Sequence, residues 1–308
     1  MKPRLMCVGH VALDMMFGVQ AFPALPTKTP AHQHHQGVGG MSANAAVALA
    51  RLGGDVAFCG PVGEDAAADV FERHFRREGV DATRMQRLSG HSSSVSAIII
   101  DSRGERMIFN HRGSALTAQA AFDVQWLAGS QALWVDPRCP AWALQALQWA
   151  RGQGVPSMLD GDISPAQDLT ALVPWADWVV FSEAGLVHAY GVGGELGLDR
   201  ALQADASGRA PLAVAQTLGA QGVCWKRAGQ PLLHQPAWSV GPVVDTLGAG
   251  DVFHAALGLA LWEGLEDAQA MRWASAAAAL KCLRPQGILG SPTRSEVTAF
   301  LAQAPTPS

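Results

Sequence analysis

The chain has 308 residues, 49% of them hydrophobic, with 22 Lys and Arg against 26 Asp and Glu and a formal net charge of -4. Such a chain can bury the core of one large domain, and its mildly acidic balance without a basic stripe argues against nucleic acid as the main partner. It has no apolar run near the 18 residues of a membrane span and no export-signal pattern at its start, so we expect a cytoplasmic protein without a membrane partner.

Short apolar runs alternate with longer stretches of helical periodicity. The runs predict buried strands at Leu5–Val8, Val56–Cys59, Ala132–Val135, Val155–Leu159, Trp178–Phe181 and Gly222–Trp225. The longer stretches predict helices at Ala43–Leu52, Ala66–Glu78, Ala141–Arg151, Arg200–Ala204 and Val252–Trp262. Alternation of this kind is typical of the α/β class, in which helices cover a mainly parallel sheet.

Two stretches interrupt this alternation and predict a second, smaller sheet. Residues 17–37 contain three prolines and no helical period. Residues 92–112 alternate like two antiparallel strands joined by a turn at Ser102-Arg103-Gly104. We expect these insertions to form a β lid, with residues 1–12, 38–90 and 113–308 in the α/β core and residues 13–37 and 91–112 in the lid.

Small residues open the predicted helix at Val252–Trp262, in the run Asp245-Thr246-Leu247-Gly248-Ala249-Gly250-Asp251. Glycine lets a backbone approach a ligand closely. The first N–H groups of a helix lack partners and carry the positive end of its dipole, so they bind anions readily. An Asp at this place can act as a base beside a bound phosphate, which indicates phosphoryl transfer. The plain alternative for Asp251 is a helix cap.

Several common catalytic and nucleotide motifs are missing. The sequence contains no P-loop, no G-x-S-x-G and no H-E-x-x-H. Gly37-Val38-Gly39-Gly40 is rich in glycine but lacks G-x-G-x-x-G spacing, so a dinucleotide-binding fold is poorly supported.

Two separated motifs together resemble the signatures of the ribokinase family, the PfkB carbohydrate kinases. They are Gly39-Gly40-x-x-x-Asn44 and Asp245-Thr246-x-Gly248-Ala249-Gly250-Asp251. Smaller matches lie between them in the expected order, at residues 60–65, 110–113 and 217–222. The resemblance implies a ribokinase-like three-layer α/β/α core with a small β-sheet lid. It also implies ATP and Mg²⁺ as cofactors, a sugar as substrate and a homodimer, and it leaves open a monovalent cation near Asp245.

The resemblance implies a role for each matching residue. Asp251 is the expected base, and Gly248, Ala249 and Gly250 form the expected anion hole, whose N–H groups stabilise charge in the transition state. The expected sugar contacts are Asp14, Gly39, Gly40 and Asn44. The expected nucleotide contacts are Thr217, Gly219, Gly222 and Thr246.

One family motif is altered. Where the family commonly carries Asn-x-x-Glu, this chain has Ser182-Glu183-Ala184-Gly185. The usual water network around Mg²⁺ therefore cannot be transferred unchanged. Glu183, Asp160 and Asp162 are the candidate acids that could take over the role of this motif around Mg²⁺. The plain alternative is that these acids only cap or solvate a loop.

Further segments, residues 159–165, 181–186 and 279–285, resemble the bacterial kinases of 6-deoxy-6-sulfofructose within this family. The resemblance implies phosphorylation of the 1-hydroxyl, with Lys28, Asn110 and Arg138 around the sulfonate. The plain alternative is that Arg138 pairs with Asp136 and that Lys28 is solvated. Fructose, a 2-keto-3-deoxy sugar acid, ribose or a nucleoside remain alternative substrates. A sugar-binding protein without turnover is a further alternative, because Asn-x-x-Glu is altered.

Overall fold

The computed structural model of the protein describes residues 4–118 and 121–303. The strands in this part of the chain are β1 Arg4–Val8, β2 Ala12–Gly18, β3 Gln33–Gly39, β4 Asp55–Gly63, β5 Asp81–Leu88, β6 Ser94–Ile100, β7 Arg106–His111, β8 Ala132–Val135, β9 Ser157–Gly161, β10 Trp178–Ser182, β11 Ala213–Thr217, β12 Val223–Arg227 and β13 Leu233–Gln235. The α-helices are α1 Met41–Arg51, α2 Ala66–Glu78, α3 Pro140–Gln153, α4 Ala166–Leu172, α5 Glu183–Tyr190, α6 Gly194–Ala201, α7 Ala249–Trp262, α8 Asp267–Cys282 and α9 Arg294–Gln303.

Nine of the described strands form the central sheet, in the order β13-β12-β11-β10-β9-β8-β1-β4-β5. All neighbours in it are parallel except β11 with β12 and β12 with β13. Helices α1, α2, α7 and α8 pack on one face and α3, α4, α5 and α6 on the other, each over its own apolar cluster. The predicted three-layer α/β/α fold is confirmed.

The local sequence explains why individual elements form, and α2 is an example. Asp65 caps its first turn by accepting a hydrogen bond from the Ala68 N–H at 3.1 Å. Phe71 and Phe75, one turn apart, are fully buried on the same face. Gly79 ends the helix in the left-handed conformation that glycine favours.

A second sheet is built from four strands in the order β3-β2-β6-β7. Strands β2 and β6 are parallel, whereas the outer pairs are antiparallel. The strands come from the two segments predicted to form the lid, and we call this four-stranded sheet the lid. Its strands β2 and β3 extend beyond residues 13–37 at both ends, and the proposed domain boundaries stay a prediction.

Three predicted elements differ from the structure. The helix expected at Arg200–Ala204 is α6, which begins six residues earlier at Gly194 despite two glycines. A Cβ at Gly197 would lie 2.4 Å from the Val192 carbonyl oxygen, so this glycine allows close packing that propensity alone does not reveal. The strand expected from Val155 begins after Pro156, and the strand expected from Gly222 begins at Val223 and runs antiparallel.

None of the helices in the described ranges is long and apolar enough to cross a membrane.

Candidate active site

The two signature motifs meet at the first turn of α7. The Asn44 side-chain amide, in α1, donates a hydrogen bond of 2.7 Å to Asp251 Oδ2, 207 positions away in sequence. Gly248 precedes the helix in the left-handed conformation, with a φ of 80°. The expected base is therefore held at a helix N-terminus by a residue from the other motif.

The surroundings of Asp251 disfavour its charged form. Asp251 is only partly accessible, and the burial of its carboxyl raises its pKa to about 8. Asp160 adds a like charge that raises the pKa further, while the Asn44 hydrogen bond and His254 act in the opposite direction. A carboxyl with such a pKa can accept a proton near neutral pH.

Backbone N–H groups beside Asp251 are available to an anion. The Ala249 N–H donates to the Thr246 carbonyl at 3.2 Å. The N–H groups of Gly248 and Gly250 have no hydrogen-bond partner within the described residues. A Cβ at Gly250 would meet no atom within 4 Å, so the space beside its backbone is open.

Two cavities lie on either side of this turn. The first, of about 660 Å³, contains the predicted sugar contacts Asp14, Gly39 and Asn44 in its lining. The second, of about 640 Å³, is lined by all of the predicted nucleotide contacts, which are Thr217, Gly219, Gly222 and Thr246, together with Ala249 and Gly250. The anion hole thus lies between a candidate sugar site and a candidate nucleotide site.

The glycine pair before α1 permits the close approach of two chain segments. A Cβ at Gly39 would lie 2.0 Å from Asp14 Oδ2, and one at Gly40 would lie 2.6 Å from the His10 carbonyl oxygen. Gly40 also has a φ of 101°, which other residues rarely adopt. Larger residues here would displace Asp14 or the start of α1.

Asp14 belongs to a row of polar residues across the lid. It pairs with Ser96 on β6, which pairs with Asn110 on β7, and the Asn110 amide donates to Ser96 Oγ at 3.0 Å. Burial raises the pKa of Asp14 to about 6, although the Ser96 hydroxyl opposes the shift. The row brings Asn110 to the same side of the lid as Asp14.

Asp245 fixes the loop that leads into α7. Its carboxylate accepts hydrogen bonds from the N–H groups of Leu247 and Gly287, both at 2.8 Å, and lies 3.1 Å from Lys281 Nζ. Although burial opposes the shift, these hydrogen bonds and Lys281 lower the pKa of Asp245. Lys281 is a residue of the site that the motifs do not reveal; a lysine in an alanine-rich helix is the available signal.

Arg106 is a further residue that the motifs did not reveal. It lies on lid strand β7, and its guanidinium donates to Thr246 Oγ1 at 3.2 Å and lies 3.6 Å from Asp245 Oδ1. The available signal was its position four residues before Asn110, which places both on one face of a strand. The lid therefore contacts the anion-hole motif directly.

The three predicted sulfonate contacts are not gathered into one cluster. Lys28 is exposed in the connection between β2 and β3, and neither cavity beside the anion hole has it in its lining. The Arg138 side chain lies 3.4 Å from Met41 Sδ and 3.8 Å from Asp162 Oδ2. Asp136 accepts a hydrogen bond from the backbone N–H of Arg138 instead of pairing with its side chain.

The candidate metal-binding acids already have partners or face solvent. Asp160 Oδ2 lies 2.8 Å from His254 Nδ1, and Asp162 accepts a hydrogen bond of 2.9 Å from Ser182 Oγ. Glu183 is exposed in the first turn of α5. In residues 4–118 and 121–303, no three His, Cys, Asp or Glu side chains are arranged to hold a metal ion. These acids do not fit an all-protein Mg²⁺ site, and Mg²⁺ commonly binds through substrate phosphates instead.

Comparison with known proteins identifies similar chains. The model of the pfkB family carbohydrate kinases matches residues 2–294. Ribokinase of Haemophilus influenzae is 29% identical over 316 residues, covering 99% of this chain and 100% of the relative. Fructokinase of Klebsiella pneumoniae is 33% identical over 284 residues, covering 85% of this chain and 88% of the relative. A crystal structure of a candidate ribokinase from Agrobacterium tumefaciens has a TM-score of 0.89 and 33% identity, covering 98% of both chains.

Proposed function

Because the chain belongs to the pfkB family of carbohydrate kinases, we propose that it transfers the γ-phosphoryl group of ATP to the 1-hydroxyl of 6-deoxy-6-sulfofructose. The observation that carries the phosphotransfer part is the hydrogen bond between Asn44 and Asp251 at the start of α7. It fixes a carboxyl of raised pKa beside unpartnered backbone N–H groups. A base and an anion site at one point are what phosphoryl transfer to an alcohol requires.

In this mechanism Asp251 accepts the proton of the attacking hydroxyl. The hydroxyl oxygen forms a bond to the γ-phosphorus while the bond from that phosphorus to the oxygen of the leaving ADP breaks. The N–H groups of Gly248 and Gly250 stabilise the negative charge on the transferring group. Mg²⁺ bound with the nucleotide supplies further positive charge when present.

The sugar occupies the cavity lined by Asp14, Gly39 and Asn44. With a pKa of about 6, Asp14 is mostly ionised at neutral pH and accepts hydrogen bonds from sugar hydroxyls. The nucleotide occupies the cavity around Gly219 and Gly250. The lid covers the sugar and limits the access of water, which suppresses ATP hydrolysis.

The sulfonate part of the proposal is supported by Asn110 and Arg138. Asn110 is joined to Asp14 through Ser96 on the lid. Arg138 follows β8 near Met41, at the start of α1. A planar guanidinium and an amide offer several donors to a sulfonate. Lys28 is exposed and lines neither cavity beside the anion hole, so its position adds no support to this part of the proposal.

A coupled assay of ADP release over a panel of sugars tests the proposal. We expect the highest kcat/KM with 6-deoxy-6-sulfofructose. A higher kcat/KM with fructose, ribose, a nucleoside or a 2-keto-3-deoxy sugar acid would support the kinase activity but reject 6-deoxy-6-sulfofructose as the substrate. ADP release with none of them would favour the sugar-binding alternative.

We also propose a homodimer formed through the lid. Among the described strands, β7 is at the lid edge and pairs on one side only, and its Met107, Ile108 and Phe109 are exposed. An unpaired apolar edge strand favours association with another chain. Sedimentation of the protein and of Phe109→Lys tests this, and a monomer in both would reject it.

A further inference from the structure

Lys281 is a buried cation in the last turn of α8. Its side chain is 0% exposed, and lysine is almost never buried in this way without a partner. The ammonium donates a hydrogen bond of 2.8 Å to the carbonyl oxygen of Asp245 and lies 3.1 Å from Asp245 Oδ2. One residue of the anion-hole motif therefore supplies both the countercharge and the hydrogen-bond acceptor that a buried ammonium requires.

Both oxygens of the Asp245 carboxylate have partners within the protein. Oδ1 accepts a hydrogen bond from the Leu247 N–H and lies 3.6 Å from the Arg106 guanidinium on the lid. Oδ2 accepts a hydrogen bond of 2.8 Å from the Gly287 N–H, beside the Lys281 ammonium. Each carboxylate oxygen thus has one backbone donor and one cationic side chain close to it.

These contacts join three segments of the chain. The Cys282 carbonyl, next to Lys281 at the end of α8, accepts a hydrogen bond from the Asp245 N–H at 3.2 Å. Gly287 belongs to the turn after α8, where Gln286 has a φ of 73°, the one positive φ of a non-glycine residue in the described chain. Such a conformation costs free energy and persists where the surrounding structure holds it. Lys281 therefore helps to hold together the end of α8, this turn and the loop that leads into α7.

The loop that leads into α7 borders both cavities of the candidate active site. Leu247 is in the lining of the sugar cavity, and Thr246 is in the lining of the nucleotide cavity. Asp245 comes three positions before Gly248, where the anion hole begins. A displacement of Asp245 would move backbone N–H groups that must lie at hydrogen-bond distance from the transferring phosphoryl group. Lys281 lines neither cavity and can therefore affect the reaction without touching either substrate.

The resemblance in sequence leaves open a monovalent cation near Asp245, and the contacts of Lys281 test whether one fits there. An ion such as K⁺ binds through oxygen atoms, and the oxygens in question are those of the Asp245 carboxylate and carbonyl. The Lys281 ammonium already contacts both groups. A second positive charge beside it would be repelled, because like charges within about 4–6 Å disfavour each other. The residues present therefore do not fit a monovalent metal ion at these oxygens.

We propose that the Lys281 ammonium is the built-in cation of this loop, so that phosphoryl transfer by this chain requires no monovalent metal ion. Lys281 is a positioning residue, because it holds Asp245 and Asp245 holds the loop that carries the anion hole. The inference rests on the proposed kinase function for its effect on rate. The buried ammonium also predicts an effect on stability, which does not depend on any reaction.

The first test measures ADP release with ATP and the best sugar of the panel in potassium chloride and in tetramethylammonium chloride at equal ionic strength. A cation that is not bound shifts nothing, so we expect wild-type kcat/KM to agree within about twofold between the two salts. Lys281→Ala leaves the Asp245 oxygens without the ammonium, so its kcat/KM should fall by about 10- to 100-fold in tetramethylammonium chloride. The loss should be mainly in kcat, because the anion hole acts in the transition state. Potassium ions are small enough to take the vacated place and should restore part of it.

The second test measures urea unfolding of the same proteins without substrates. A cation that binds only the folded state raises the unfolding midpoint. We expect the wild-type midpoint to be the same in both salts and the midpoint of Lys281→Ala to be higher in potassium chloride. The control in both tests is Lys226→Ala, which removes a lysine paired with Glu195 outside the site and should respond to the salts as the wild type does.

The wild-type measurements need no variant, so the inference can be tested even if Lys281→Ala does not fold. A wild type that loses most of its kcat/KM in tetramethylammonium chloride would reject the inference and leave the kinase function in place. A Lys281→Ala protein that matches Lys226→Ala, or that responds to potassium in neither test, would also reject it. If the wild type releases ADP with no sugar of the panel, the proposed function fails. A potassium-dependent midpoint confined to Lys281→Ala would then still support Lys281 as the built-in cation.

Discussion

Asn44 and Asp251 are joined by a hydrogen bond of 2.7 Å between side chains at the starts of α1 and α7. The contact also affects proton affinity, because the amide favours the ionised form of a carboxyl whose burial raises its pKa to about 8. One residue therefore both positions the expected base and tunes it.

Asp251→Asn should abolish most of the turnover. The amide cannot accept the hydroxyl proton, so we expect kcat to fall by about 10²- to 10⁴-fold, with sugar binding within a few-fold of wild type. Single-turnover transfer and calorimetric sugar binding measure the two effects. Asp55→Asn, at an exposed strand start, is the control. Turnover near the wild-type value in Asp251→Asn would show that Asp251 is not the base.

The same substitution should stabilise the protein at neutral and alkaline pH. The unfolded chain releases the Asp251 proton near its ordinary value of 3.8, whereas the folded protein releases it near 8. Wild-type stability contributed by this group therefore falls as pH rises through this window. The difference in urea midpoint between Asp251→Asn and wild type should grow from pH 5 to pH 8 and then stay constant. A constant difference across the whole range would contradict the raised pKa.

The pH dependence of kcat/KM should report the free-enzyme base. With a pKa of about 8 for Asp251, the rate should rise about tenfold per pH unit below that value and level off above it. Asn44→Ala removes a hydrogen bond that lowers this pKa, so its acidic limb should move to higher pH. If the acidic side of the pH profile of Asn44→Ala has the same pKa as that of wild type, the titrating group is not Asp251.

Arg106→Ala should reduce phosphate transfer. Its guanidinium reaches Thr246 from the lid, so removal takes a positive charge from the anion-hole motif. We expect kcat/KM for ATP to fall by about 10- to 100-fold, as for the loss of a charged hydrogen bond. Arg103→Ala, whose guanidinium pairs with Asp101 in the adjacent turn, is the control. Equal effects of both substitutions would indicate general damage to the lid.

Lys281→Met should destabilise the fold and weaken catalysis together. Lys281 is 0% exposed and binds both the carboxylate and the carbonyl oxygen of Asp245. Breaking a buried pair by removing one partner costs about 3–5 kcal/mol. Urea unfolding measures the loss, and Lys226→Met, at a more exposed ion pair, should show a smaller one. Unfolding midpoints that agree between the two variants would contradict this role.

The sequence predicts the family and its two signature motifs, but not the contacts that depend on packing between distant segments. Both signatures were recognised because their chemistry depends on local spacing, as in Gly248-Ala249-Gly250-Asp251. The contact of Arg106 with Thr246 was not predictable, because it depends on how the lid lies over the core 140 positions away. The predicted start of α6 at Arg200 is late because Gly194 and Gly197 lower helix propensity. In the structure Gly197 allows close packing, and Gly194 has a φ of +63° that glycine adopts readily. The pairing of Asp160 with His254 is likewise not predictable from local sequence, because it joins β9 to α7 across 94 positions.

Strand β3 of the lid ends at Gly39 and α1 begins at Met41, so a single residue, Gly40, separates them. A tilt of the small sheet is therefore transmitted to the helix that carries Asn44, without a flexible linker to absorb it. Under the proposed kinase function, covering the sugar and orienting Asn44 toward the carboxyl of Asp251 would then be two results of one movement. Under the same proposal, an open lid would leave Asp251 less well oriented, which would limit transfer of the γ-phosphoryl group to water before a sugar has entered.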